Sequence, residues 1–260
     1  MHLPLRGLAL LLVALPLTAL AQSPEAARLT EAAPFEAATF EAATFEAALP
    51  FALDYALALP EGYEDDPEAT WPLVLFLHGS GERGDDLHLV AVHGPLKEIR
   101  GGVAFPFVLV APQLPAERPY WDARELGALL DHIEATLRID ATQIYVTGLS
   151  MGGYGTWDLV LHHPDRFAAA VPICGGSFPF RARTLAGTPI WVFHGALDTV
   201  VPLERSAEMA RAIQAVGGDV KLTVYPEAGH DSWSDTYANP AVYEWLLSHR
   251  RGDEDTGNEE

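Results

Sequence analysis

Short apolar runs alternating with amphipathic stretches constrain this chain more than any other feature. Residues 73–77, 107–111, 144–147, 167–173, 190–193 and 220–225 are rich in β-branched and large apolar side chains, as expected of strands covered on both faces. Residues 125–137, 152–162, 203–216 and 241–247 instead space their apolar residues like helices. The clearest series is Leu126, Leu129, Leu130, Ile133 and Leu137. Strands separated by helices predict an α/β chain with a mostly parallel central sheet and helices on both faces. In such sheets, chemical groups collect where strands end at their C-termini.

One strand end stands out. Gly148-Leu149-Ser150-Met151-Gly152-Gly153 follows the β-branched run 143–147 and precedes a helical pattern. A serine between glycines at a strand-to-helix junction sits on a tight turn, its hydroxyl lifted above the sheet beside the first N–H groups of the helix. Side chains at 148 or 152 would collide where strand and helix cross.

A serine hydroxyl needs a neighbouring base to become a nucleophile. His230 lies in a loop just beyond the strand 220–225 and is the expected base. His78 and His194 also end strands, each before a glycine, and His78 is expected to brace its loop. His162 and His163 sit at a helix end. His88, His93, His132 and His249 lack such a context and read as surface residues. The base needs an orienting acid. Asp198, in the loop after 190–193, has the right position, with helix capping as its alternative role. Asp219 stands at the wrong strand end, and Glu227 is too close to His230 in sequence. The order Ser150, Asp198, His230 is that of a hydrolase triad. Oxyanion donors are expected at the Met151 amide and in the glycine-rich loop 78–84. Ser80 is favoured there over Gly79 or Gly81.

These stretches carry a resemblance. Leu59-Pro60-Glu61-Gly62-Tyr63, His78-Gly79-Ser80-Gly81-Glu82-Arg83-Gly84, Ala111-Pro112-Gln113, the Ser150 turn, His194-Gly195-Ala196-Leu197-Asp198 and Gly229-His230-Asp231-Ser232-Trp233 are similar to the α/β-hydrolase superfamily. The likeness runs from about Pro50 to Leu247. It is nearest the secreted carboxylesterases related to dienelactone hydrolase, the feruloyl esterases and the prolyl-oligopeptidase catalytic domain. The resemblance implies hydrolysis without metal or cofactor. Dienelactone hydrolase itself uses a cysteine nucleophile, and Ser150 departs from that pattern.

Between Gly176 and Thr188 there is room for little or no lid, so an open cleft is expected. Trp233, Trp121 and Tyr154 are the expected substrate contacts, with Tyr120, Phe178 and Phe180 also near the cleft. Aromatic walls suit aryl or acyl groups. No H-E-x-x-H, paired Cys-x-x-Cys or P-loop pattern occurs, so neither a metal nor a nucleotide site is expected.

The remaining composition narrows the partners. A formal charge of −20 over 260 residues opposes binding to nucleic acid or to anionic membrane. His2 and Arg6, the apolar run 8–20 and Ala19-Leu20-Ala21 read as an export signal over residues 1–21, giving a secreted or periplasmic protein free of membrane after cleavage. A single cysteine, Cys174, cannot form an internal disulfide. Residues 22–48 contain a Phe-Glu-Ala-Ala-Thr repeat whose period of five fits neither helix nor strand. A disordered or loosely attached arm is expected there, with a helix or edge strand as the alternative. Residues 49–249 form the expected catalytic domain and 250–260 an acidic tail. The expected activity is an exported serine esterase acting on a small-molecule or polysaccharide-linked ester. A peptidase on short peptides and a non-catalytic binding protein are the alternatives.

Overall fold

Residues 41–46 and 52–252 are described by a computed structural model, the first six by their backbone alone. The export signal, most of the repeat segment and residues 253–260 lie outside the described residues. Eight strands are described: β1 (Glu41–Glu46), β2 (Ala52–Ala58), β3 (Trp71–Leu77), β4 (Val108–Pro112), β5 (Ile139–Leu149), β6 (Ala169–Ile173), β7 (Ile190–Gly195) and β8 (Val220–Tyr225). They form one sheet in the order β1-β2-β4-β3-β5-β6-β7-β8. Pairing is antiparallel between β1 and β2 and between β2 and β4, and parallel from β4 onward.

The central strands explain the two-sided burial. In β3, Leu73, Leu75 and Leu77 join a core with Leu129 and Ile133 of α2 (Ala123–Thr136), Trp157 of α3 (Met151–His162) and Met209 of α4 (Glu204–Ala215). Val74 and Phe76 point the other way, into a core with Leu96, Tyr237 and Val242. Those three belong to helices that flank the opposite face: α1 (Gly94–Arg100), α5 (Trp233–Tyr237) and α6 (Pro240–Leu247). A period of two therefore divides one apolar run between two cores, which is why the run carries no polar face. The open α/β arrangement expected from the alternation is present.

The expected domain bounds need correction at both ends. In the repeat segment the alternative reading, an edge strand, holds for six residues: Glu41–Glu46 pair with β2, Glu41 opposite Leu57 and Glu46 opposite Ala52. An edge strand is held by main-chain hydrogen bonds, which require no periodic apolar face. The sheet thus begins ahead of residue 49. At the other end, the Arg251 amide donates to the Thr142 carbonyl at 2.8 Å, and Arg250 pairs with Asp140 at 2.9 Å. The first tail residues are therefore tied to the domain. The helices Gly94–Arg100 and Trp233–Tyr237 span seven and five residues, too short to show a helical period. No helix among the described residues is long and apolar enough to cross a membrane.

Candidate active site

β5 ends at Leu149, and the next residue, Ser150, adopts φ 53° and ψ −114° before α3 begins. A side chain at positive φ costs about 1–3 kcal/mol and persists only where its surroundings enforce it. Here they do. A Cβ on Gly152 would stand 1.9 Å from the Leu77 carbonyl oxygen, and one on Gly148 would stand 2.4 Å from the Gly152 carbonyl oxygen. The ends of β3 and β5 and the start of α3 fit together only because these two residues lack side chains.

β7 and β8 supply the partners. Ser150 Oγ lies 2.9 Å from His230 Nε2, and His230 Nδ1 lies 2.8 Å from Asp198 Oδ2. The other oxygen, Oδ1, accepts from the Val200 and Val201 amides at 2.8 and 2.9 Å. Asp198 therefore organises its own loop as well as the imidazole, and Asp219 and Glu227 take no part. Burial alone would raise the Asp198 carboxyl. Hydrogen bonds from His230 and the Val201 and Val200 amides outweigh it and hold the group below the usual carboxylate value. With Asp198 ionised, Nδ1 of His230 keeps its hydrogen, leaving Nε2 to accept the serine proton.

Next to Ser150 in the chain, Met151 borders a cleft of about 940 Å³, lined also by Ser80, Trp121 and Tyr154. The two expected oxyanion donors thus border one cavity. Tyr120 and Phe178 line it while 67% and 58% exposed, so the mouth is open. The segment 177–187 holds only the short 3-10 turn Pro179–Leu185, with no lid helix. Trp121 is buried, and its indole N–H donates to the His78 carbonyl at 3.2 Å. It shapes the cavity floor more than it offers surface to a ligand. The Trp233 ring meets His230 edge-on at 5.2 Å and, like Ser150 and His230 themselves, is not among the residues lining this cavity. Adjacency in sequence put it near the imidazole but did not say on which face. Arg83 and Arg205 also line the cavity. Arg205, one residue into α4, reads in sequence as part of a solvent-facing helix surface, so it went unassigned.

His78 braces its loop, as expected. It is buried, with Nδ1 against the Gly79 carbonyl and Nε2 accepting the Leu114 amide at 3.0 Å. Burial lowers its pKa from 6.5 to about 4. An unfolded chain therefore takes up a proton near pH 6.5 that the folded one refuses until about pH 4. Stability contributed by neutral His78 is complete above pH 6.5. It should fall by about 3 kcal/mol as pH drops to 4, read as a lower urea midpoint. In His78→Gln this part of the pH slope should vanish.

Cys174, the residue after β6, is fully buried at φ 41°, and burial pushes its thiol up to about 12. Among the described residues, ligand atoms of Cys174, Asp198 and His230 come within 4.8 Å of one another. The thiol is protonated there and the other two groups are bonded together, so they do not form a free donor set. A neutral buried thiol is a poor nucleophile. Folded protein should resist a disulfide-exchange reagent such as dithiobis(nitrobenzoate) at pH 8, releasing one equivalent of chromophore only after denaturation.

Comparison with known proteins agrees with this fold. Residues 119–243 match the dienelactone hydrolase family. An uncharacterized secreted protein of Arthroderma benhamiae is 28% identical over 204 residues, 64% of this chain and 22% of that protein. A putative esterase of Nocardia uniformis subsp. tsuyamanensis is 27% identical over 175 residues, 62% of this chain and 48% of that protein. This chain therefore spans about a fifth and about a half of those two relatives. The crystal structure of a thermostable esterase superposes with a TM-score of 0.70 at 34% identity, covering 82% of this chain and 64% of that one.

Proposed function

Because this chain has the α/β-hydrolase fold and carries a dienelactone hydrolase family domain over residues 119–243, we propose that it is an exported serine hydrolase of carboxylic esters. The observation that carries this reading is the continuous hydrogen-bonded path from Ser150 through His230 to Asp198. Ser150 Oγ attacks the ester carbonyl carbon while His230 Nε2 takes its proton. The oxygen that becomes negative is received by the Met151 and Ser80 amides. His230, its positive charge balanced by Asp198, returns the proton to the alcohol oxygen as the C–O bond breaks. Water then attacks the acyl-serine, again losing a proton to His230. The acid product leaves and Ser150 regains its hydrogen.

The open mouth and the aromatic side chains Tyr120, Tyr154 and Phe178 support an aryl or acyl group in the cleft, from a small-molecule or polysaccharide-linked ester. Export is supported by the signal-like start of the sequence. N-terminal sequencing of protein released by the native cell should begin at Gln22, and a start at Met1 would overturn it. A panel of aryl esters, aliphatic esters and short peptide amides tests the activity. Esters should be turned over and amides of the same acyl group should not. Preference for the amides would install the peptidase reading instead.

A further inference from the structure

His194 lies within β7 one residue before Gly195, and is fully buried. Its Nε2 stands 2.9 Å from the Val201 carbonyl oxygen and 3.2 Å from Asp198 Oδ2. Its Nδ1 stands 2.8 Å from Ser206 Oγ, and that hydroxyl is also 3.0 Å from the Gly175 carbonyl oxygen. Two oxygens that can only accept thus face Nε2: a peptide carbonyl and an ionised carboxylate. A bare nitrogen lone pair would be repelled by both, so Nε2 carries a hydrogen. Ser206 Oγ has a single hydrogen, which goes either to the Gly175 carbonyl or to Nδ1, so the hydroxyl does not fix the tautomer by itself.

We propose that His194 is a positioning residue for the reaction: its Nε2–H holds the Val201 carbonyl, and the loop so pinned fixes the Asp198 carboxylate and through it the His230 base. This deepens the serine-hydrolase reading and rests on it. Oδ2 accepts from His230 and Oδ1 from the Val200 and Val201 amides, while His194 Nε2 stands 3.2 Å from Oδ2. Both amides on Oδ1 belong to the loop that His194 pins through the Val201 carbonyl, so the carboxylate is held as firmly as that loop. The lone pair presented to His230 Nδ1 stays aimed. The same Nε2–H holds the Val201 carbonyl, tying the far end of the 198–201 loop to the end of β7. Other titratable groups that feel Asp198 are Cys174 and Tyr154, and burial raises both. They are neutral at pH 7 and do not replace the lost donor.

Two substitutions separate positioning from filling of space. The amide of His194→Gln reaches about where Nε2 sits and keeps a donor to the Val201 carbonyl. The shorter amide of His194→Asn reaches about where Nδ1 sits and keeps only Ser206. On the ester that wild type hydrolyses best, His194→Asn should lower kcat by roughly 2- to 10-fold, as expected for losing one neutral hydrogen bond, with KM little changed. Its acidic limb in kcat/KM should move to higher pH, because a carboxylate less firmly held by the Val200 and Val201 amides holds the His230 proton more tightly. His194→Gln should restore most of kcat and the wild-type limb. If both variants lose kcat equally with unmoved limbs, His194 only fills space and the proposal fails. A measurement on unmutated protein stands beside these. Nitrogen-15 histidine NMR should show His194 protonated at Nε2, and an Nδ1–H tautomer with bare Nε2 would overturn the proposal whatever the kinetics. Persistence of hydrolysis in Ser150→Ala would instead remove the serine-hydrolase reading, leaving the tautomer result intact.

Discussion

Replacing Ser150 with alanine is expected to slow ester hydrolysis by on the order of 10⁴–10⁶-fold while the protein still folds. Its Oγ makes one hydrogen bond, to His230 Nε2, and that contact contributes little to stability beside the buried cores. Losing it removes the atom that forms the acyl bond. His230→Ala should fall into the same range, and the double variant should be no slower than the worse single one, because neither group acts without the other. A Ser150→Ala protein with wild-type turnover of p-nitrophenyl acetate would show that the assigned nucleophile is wrong.

Gly152→Ala is expected to have the second largest effect, and it acts on the fold. The added carbon would stand 1.9 Å from the Leu77 carbonyl oxygen and 2.7 Å from that of His78. Both are backbone atoms at the end of a central strand, so no side-chain rotation relieves the clash. Either β3 or the start of α3 must shift. Overpacking of this kind costs about 1–3 kcal/mol and occasionally more, and the upper end is expected here because a strand must move. The displaced pieces carry the Met151 amide and the Ser80 loop, so activity should fall along with the melting temperature. Gly187→Ala is the matched control, since a carbon there meets nothing within 4 Å. It should alter stability by less than about 1 kcal/mol, in line with surface substitutions. Equal melting temperatures for Gly152→Ala and wild type would refute the packing argument.

Much of this architecture was legible in the sequence because its signals are strong and local. Apolar runs marked the central strands, and Leu126, Leu129, Leu130 and Ile133 marked the long helix beside them. Ser150, Asp198 and His230 were picked out by their places just past strand ends, and the fold brings those three together. What was hidden has a common cause. The strand Glu41–Glu46 rests on main-chain pairing at a sheet edge, which leaves no side-chain period. The helices at 94–100 and 233–237 are too short for one. Trp233 is adjacent to the base in sequence, but only the fold shows that its ring packs edge-on against the imidazole. His194 looked like any residue closing a strand, since its link to Asp198 depends on how the 198–201 loop curls back. Arg205 lay on the polar side of a helical pattern, where a cleft wall and open solvent look alike.

The most direct test treats folded protein with a fluorophosphonate until ester hydrolysis stops, then maps the adduct by peptide mass spectrometry. A single modification on Ser150, in step with the loss of activity, is expected. An adduct on another residue, or full hydrolysis by protein whose Ser150 is wholly modified, would contradict the account.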